Sequence, residues 1–292
     1  GGGQVVGWLD TKMFLETGDE ARSQGWTALI MDTNGNGKRD AYVEPDAPPD
    51  PTKDTRIARA FYAVSPAPDG SVWGTVMGLP GSVVRLSPGA NPPETALAEM
   101  YEVPSVLDPN VPEDETGFGP RGLDIDRDGV VWTALSGSSH FASFDRTKCD
   151  VNGPEILDGR HCVEGWTLYP TPGPTIQNTD PPLRADYHYY NWVDQHNTLG
   201  LGDNIPIANG SNSDALLALM PDTGEWVVLR VPYPQGFFSR GLDGRIDDPD
   251  GGWKGRGVWA TYGAAVTWHI EGGPGVKPGM IKFQVRPDPL AN

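Results

Sequence analysis

A tryptophan closing an extended apolar run recurs four times, at Trp73, Trp132, Trp192 and Trp259, with spacings of 59, 60 and 67 residues. A period of this size constrains the fold strongly, because each repeat must be a small unit that buries its apolar face against the next. An arginine and a small residue precede each tryptophan: Arg59-Ala60, Arg121-Gly122, Arg184-Ala185 and Arg240-Gly241. A second apolar run follows each one, as in Val83-Val84-Arg85-Leu86 and Phe141-Ala142-Ser143-Phe144, and an aromatic-led run such as Tyr101-Glu102-Val103 or Trp226-Val227-Val228 completes the set. Asp69-Gly70 and Asp128-Gly129 supply the positive-φ positions of tight hairpins.

Four short strands per period, separated by turn chemistry, predict an all-β chain folded as a β-propeller. The 38 Gly and 29 Pro argue the same way, since few stretches are long enough for an uninterrupted helix. Four-stranded blades are expected at about 57–104, 117–170, 184–232 and 240–287, preceded by a partial blade at 4–31, within one domain of residues 1–292. Insertions fall at 44–53, around the cysteines, at 170–182 and at 202–213. The ends do not make a whole number of blades. Either the first strands complete the last sheet, or the chain is a segment of a larger propeller whose open edges are covered by the rest of it or by a partner chain.

With 22 basic and 39 acidic side chains the net charge is −17, which repels nucleic acid and anionic lipid. No run is apolar enough for a membrane span. Cys149 and Cys162 are the two cysteines. A bridge between them would close a loop of about fourteen residues and place the chain in the periplasm or outside the cell; a metal pair with His161 is the alternative. The chain begins without Met, so any export signal is expected to have been removed or to lie ahead of it.

The run Gly119-Pro120-Arg121-Gly122-Leu123-Asp124-Ile125-Asp126-Arg127-Asp128-Gly129-Val130-Val131-Trp132-Thr133 resembles the blade motif of the streptogramin-lyase-like (virginiamycin B lyase-like) propellers, with weaker echoes at 64–75 and 241–261. The resemblance implies the fold. Lyases of that family carry a metal-binding Glu soon after the tryptophan and a catalytic His on the same face, whereas Thr133-Ala134-Leu135, Gly74-Thr75-Val76 and Ala260-Thr261-Tyr262 contain no Glu.

Three groups of residues carry candidate chemistry. Arg59, Arg121, Arg184 and Arg240 open successive blades, and equivalent propeller positions face one another across the central channel. They would bind a small anionic ligand, unless each pairs with a local carboxylate such as Asp124 or Asp243. His140, His188, His196 and His269 fall in or beside inter-strand loops and would hold a divalent metal or act as a base at the propeller mouth. Asp32, Asn34, Asn36 and Asp40 surround Gly37 with the oxygen spacing of a Ca²⁺ loop, although Val43 stands where an EF-hand has its closing Glu; an Asn-Gly turn without metal is the simpler alternative. Asp124, Asp126 and Asp128 repeat that spacing inside a strand and hairpin pattern, and Asn209-Gly210-Ser211 fits a glycosylation acceptor. The expected function is an exported propeller presenting a channel site to a small anionic ligand or a protein partner. The alternative is a metal-assisted lyase or lactone hydrolase.

Overall fold

The computed structural model describes residues 4–180, 182–210, 212–232, 237, 239–245, 257–262 and 279–284. Among them the structure is nearly all β, its helices being the short segments Thr11–Thr17, Glu20–Ser23, Pro92–Thr95 and two 3-10 turns. None is long and apolar enough to cross a membrane.

The sixty-residue period appears as repeated up-and-down antiparallel sheets, the form of propeller blades. The first has strands Val64–Pro66, Val72–Val76, Ser82–Ser87 and Leu97–Glu102; the second has Pro120–Ile125, Val131–Leu135, His140–Phe144 and Trp166–Pro170. The third runs Asn191–Asp194, Ile205–Gly210, Ala215–Met220 and Glu225–Arg230, and a fourth pairs Leu242–Arg245, Gly257–Tyr262 and Gly279–Phe283. Every residue of Val131–Leu135 is buried. Its four apolar residues suit a strand covered on both faces, and the one polar residue, Thr133, is satisfied by donating its hydroxyl to the Gly122 carbonyl at 2.7 Å.

The described residues form two compact units, 1–120 with 145–166, and 121–144 with 167–292. In the first, Leu29, Met31, Phe61, Val84, Leu86 and Met100 share a core, and Trp73 stacks on Tyr101 with ring centres 6.0 Å apart. The segment 4–31 supplies two paired strands with a short helix between them. Val5–Leu9 pairs with Gln24–Ala28 as a two-stranded hairpin, while Ile30–Met31 leaves to pair with Asp54–Arg56. Local capping explains the helix inserted between the hairpin strands: the Asp10 carboxylate accepts the Met13 N–H at 2.8 Å, and Gly18 ends the helix at φ 66°. Cys149 and Cys162 are joined in a disulfide.

In the second unit Trp132 packs on Phe141 and Tyr169 (5.7 and 5.9 Å between ring centres) within a cluster holding Val193, Ala208 and Leu219. Its indole N–H donates to Asp126 Oδ2 at 3.0 Å, whose other oxygen accepts Asp128 N–H and Val130 N–H, both at 2.9 Å. Asp126 is therefore satisfied within its own hairpin, while Asp124 Oδ2 accepts the Val193 N–H at 2.8 Å and Asp128 Oδ2 accepts from Asn204 Nδ2 at 3.1 Å. Trp259 differs from Trp73 and Trp132 in being 36% exposed. The small residue after Arg121 has a steric cause: a Cβ on Gly122 would lie 2.6 Å from the Asn191 backbone nitrogen, where the next sheet begins.

Candidate functional site

The site is built on the extended stretch 185–190, which leads into the third sheet. Side chains alternate along such a backbone, so Asp186 and His188 are buried inward while Tyr187 and Tyr189 are half-buried on the other side. Asn209 holds this stretch in place: its Oδ1 accepts the N–H groups of Tyr189 and Tyr190 at 2.9 and 2.8 Å, and its Nδ2 donates to the Ser239 carbonyl at 2.8 Å. With no exposed surface and its amide fully used, Asn209 is a structural residue in this fold and not a glycan acceptor.

Two of the four candidate arginines meet on the tyrosine face. Arg121 Cζ lies 5.4 Å from the centre of the Tyr187 ring and 5.2 Å from that of Tyr189, and Arg240 Cζ lies 5.3 Å from Tyr189. These are cation–π distances. Burial raises the Tyr187 hydroxyl pKa, while the Arg121 and Arg240 guanidiniums act in the opposite direction. Arg184 is half-buried elsewhere, its Nη1 3.4 Å from the Gly173 carbonyl, and Arg59 belongs to the first unit. The tyrosines were not among the sequence candidates, although Tyr187-His188-Tyr189-Tyr190 carried a usable signal in its alternation.

The histidines occupy different environments. His188 is wholly buried; its Nδ1–H donates to the Asn209 carbonyl at 2.7 Å, and its Nε2 lies 3.1 Å from the Thr171 hydroxyl. Burial lowers its pKa against the weaker attraction of Asp186. His140 is half-buried with an Nδ1 that lacks a hydrogen-bond partner, and its pKa is lowered by burial and by the nearby His188 and Arg184. His196 is exposed in the turn after Asn191–Asp194, and His269 lies outside the described residues. Among the described residues no three His, Cys, Asp or Glu side chains converge to hold a metal by themselves.

Those lowered pKa values have a definite sign. Above the unfolded histidine pKa of about 6.5 both states are neutral and the full stability is present; below it the unfolded chain binds protons that native His140 and His188 resist. Stability is thus lost as pH falls from about 6.5 through the folded pKa values, at about 1.4 kcal/mol per unit of depression. Denaturation midpoints at pH 7.5 and 5.5 are expected to drop less in His188→Gln than in wild type. An equal drop in both would place the acid sensitivity elsewhere.

The Asp32 loop is closely knit. Asp32 Oδ1 and Oδ2 accept the N–H groups of Asn36 and Gly37 at 3.1 and 2.6 Å. Asn34 Oδ1 also accepts Asn36 N–H at 3.1 Å, and the Asn36 amide donates to Asp40 Oδ2 at 2.5 Å.

No protein family and no curated protein matches the sequence. Among solved structures, the chain is similar to a virginiamycin B lyase from Staphylococcus aureus, with 13% identity over 81% of this chain and a TM-score of 0.43; it spans 61% of that protein's length. It is also similar to a protein of unknown function from Bacteroides caccae, with 11% identity, 70% of this chain, 58% of the other and a TM-score of 0.38. A streptogramin B lyase shares 13% identity over 78% of this chain and 70% of its own, with a TM-score of 0.33.

Proposed function

We propose that the chain is an exported propeller protein that binds a small planar anion between Arg121, Arg240 and the rings of Tyr187 and Tyr189. The observation behind this reading is the convergence of two guanidiniums, from the openings of two different sheets, on the single ring of Tyr189. Guanidinium forks match a carboxylate or phosphate, and the tyrosine faces add an aromatic wall for a flat ligand. The wider negative charge of the chain makes such a local basic pair selective for a ligand that fits it, since anions are repelled elsewhere on the surface. Export is supported by the disulfide, which persists in oxidising compartments. The lyase or lactone-hydrolase reading has less behind it, resting on the unpartnered Nδ1 of His140.

Calorimetric titration with benzoate and with inorganic phosphate tests the proposal. Benzoate is expected to bind more tightly than phosphate, and Arg121→Ala, Arg240→Ala and Tyr189→Leu should each weaken it by about tenfold, the loss of roughly 1.4 kcal/mol. Heats unchanged by all three substitutions, or no heat with either anion, would remove the site from consideration.

A further inference from the structure

We propose that the 32–40 loop is a Ca²⁺ site closed by Asp54, a residue remote from the loop in sequence that supplies the carboxylate missing at its twelfth position. Asp32, Asn34, Asn36 and Asp40 provide oxygen donors around Gly37, which takes the positive φ of 75° that the turn needs. Val43 stands where a Ca²⁺ loop of the helix–loop–helix type ends in a bidentate Glu. The fold replaces it from across the sheet. The loop exits as Tyr42–Val43, which pairs in parallel with Asp54–Arg56 and sets Tyr42 opposite Asp54. Asp54 is anchored there, its N–H donating to the Ala41 carbonyl at 3.0 Å and its Oδ2 accepting the Asp40 N–H at 2.6 Å.

Two observations point to an ion. The second oxygen of Asp54, Oδ1, is buried without a hydrogen-bond partner, on a side chain with no exposed surface. Asp32 is 2% exposed; burial together with Asp32 and Asp40 disfavours the charged Asp54 carboxylate, and the attraction of the Arg39 guanidinium offsets this only in part. Among the described residues no Lys, Arg or His forms an ion pair with any of the three; Arg39, next to Asp40 in sequence, directs Nη1 to Thr27 Oγ1 and to the carbonyls of Pro92 and Ala96. Holding the two buried carboxylates of Asp32 and Asp54 away from water, with the exposed Asp40 beside them, costs several kcal/mol per charge unless a cation compensates. The donors are carboxylates and amide oxygens, a hard all-oxygen set that suits Ca²⁺ and not a thiophilic or imidazole-seeking metal. The three carboxylates do not close a metal shell on their own, which is why the asparagines belong to the site.

The full chain, stripped with chelator, is titrated with CaCl₂ by calorimetry while its Tm is followed. One binding event and a rise in Tm are expected, since an ion held by the folded state stabilises it by mass action. Asp54→Asn keeps the shape and the acceptor for Asp40 N–H but removes the charge. It should weaken Ca²⁺ binding by at least about tenfold, while its Tm without Ca²⁺ equals or exceeds that of the wild type because the repulsion is gone. Should Asp54→Asn fail to fold, Asn34→Ala takes its place with the same expected loss of affinity. A wild-type titration without heat or change in Tm overturns the proposal. So does an Asp54→Asn protein, or its substitute, that binds Ca²⁺ as the wild type does.

Discussion

Replacing Glu99 with Ala is expected to cost about 3–5 kcal/mol of stability, the loss associated with removing one partner of a buried ion pair. Glu99 lies in the Leu97–Glu102 strand, and its side chain is 5% exposed. Oε1 accepts from Arg85 Nη1 at 2.8 Å and Arg146 Nη2 at 3.1 Å; Oε2 accepts from Arg146 Nε and the Tyr101 hydroxyl, each at 2.6 Å. Burial and the adjacent Glu99 carboxylate hold the Tyr101 hydroxyl far above its ordinary pKa, so it remains a donor at any physiological pH. Without Glu99, the buried Tyr101 hydroxyl and Arg146, 31% exposed, lose their acceptor, while Arg85 keeps Asp69 Oδ2 at 2.9 Å, which places the loss toward the lower end of that range. Glu99→Gln, which retains the volume and one acceptor, should fall between Ala and wild type. Denaturant midpoints measured at constant m decide the matter; a shift below about 1 kcal/mol would show that the cluster contributes no more than an exposed pair.

The second large effect concerns Cys149 and Cys162, thirteen residues apart in sequence. Restraining a loop of that length in the unfolded chain stabilises the fold by about 3 kcal/mol in the chain-entropy account. For a chain of this size that corresponds to a Tm lower by roughly 6–12 °C after reduction or in a Cys149→Ser/Cys162→Ser double variant, provided unfolding is two-state. The loop is also docked on the first blade. Glu102 N–H donates to the Gly159 carbonyl at 2.7 Å, the His161 ring sits 5.0 Å from Tyr101, and Arg146 reaches Glu99. The two perturbations therefore share partners, and their combined loss should differ from the sum of the separate ones. Superimposable melts with and without reductant would count against the assigned contribution of the bridge.

The blades were legible in the sequence because their determinants are local. β-branched and aromatic runs recur in each period, Asp-Gly turns mark the first two, and the buried Trp73 and Trp132 fill the places the repeat requires of them. The opening segment was less legible because a capped seven-residue helix, set by Asp10 and Gly18, interrupts a pattern otherwise made of strands. The candidate sites depend on contacts over long sequence distances. Arg121 and Arg240 could be singled out as repeated residues, but their meeting on Tyr189 is a product of the fold. Asp54 carried no motif at all, and its relation to Asp40 arises from a parallel strand pairing that spacing alone does not reveal.

The loop 145–166, which connects the third and fourth strands of the second sheet, belongs to the first compact unit although the sheet's strands lie in the second. The chain thus passes back and forth between the units, and no single cut yields either one whole. A fragment ending at residue 120 would keep Glu99 and Arg85 but leave behind Arg146, the disulfide and the His161 ring that covers Tyr101. Dissecting this protein calls for circular permutation or excision with a linker, because simple truncation removes part of the first unit's own core along with the second.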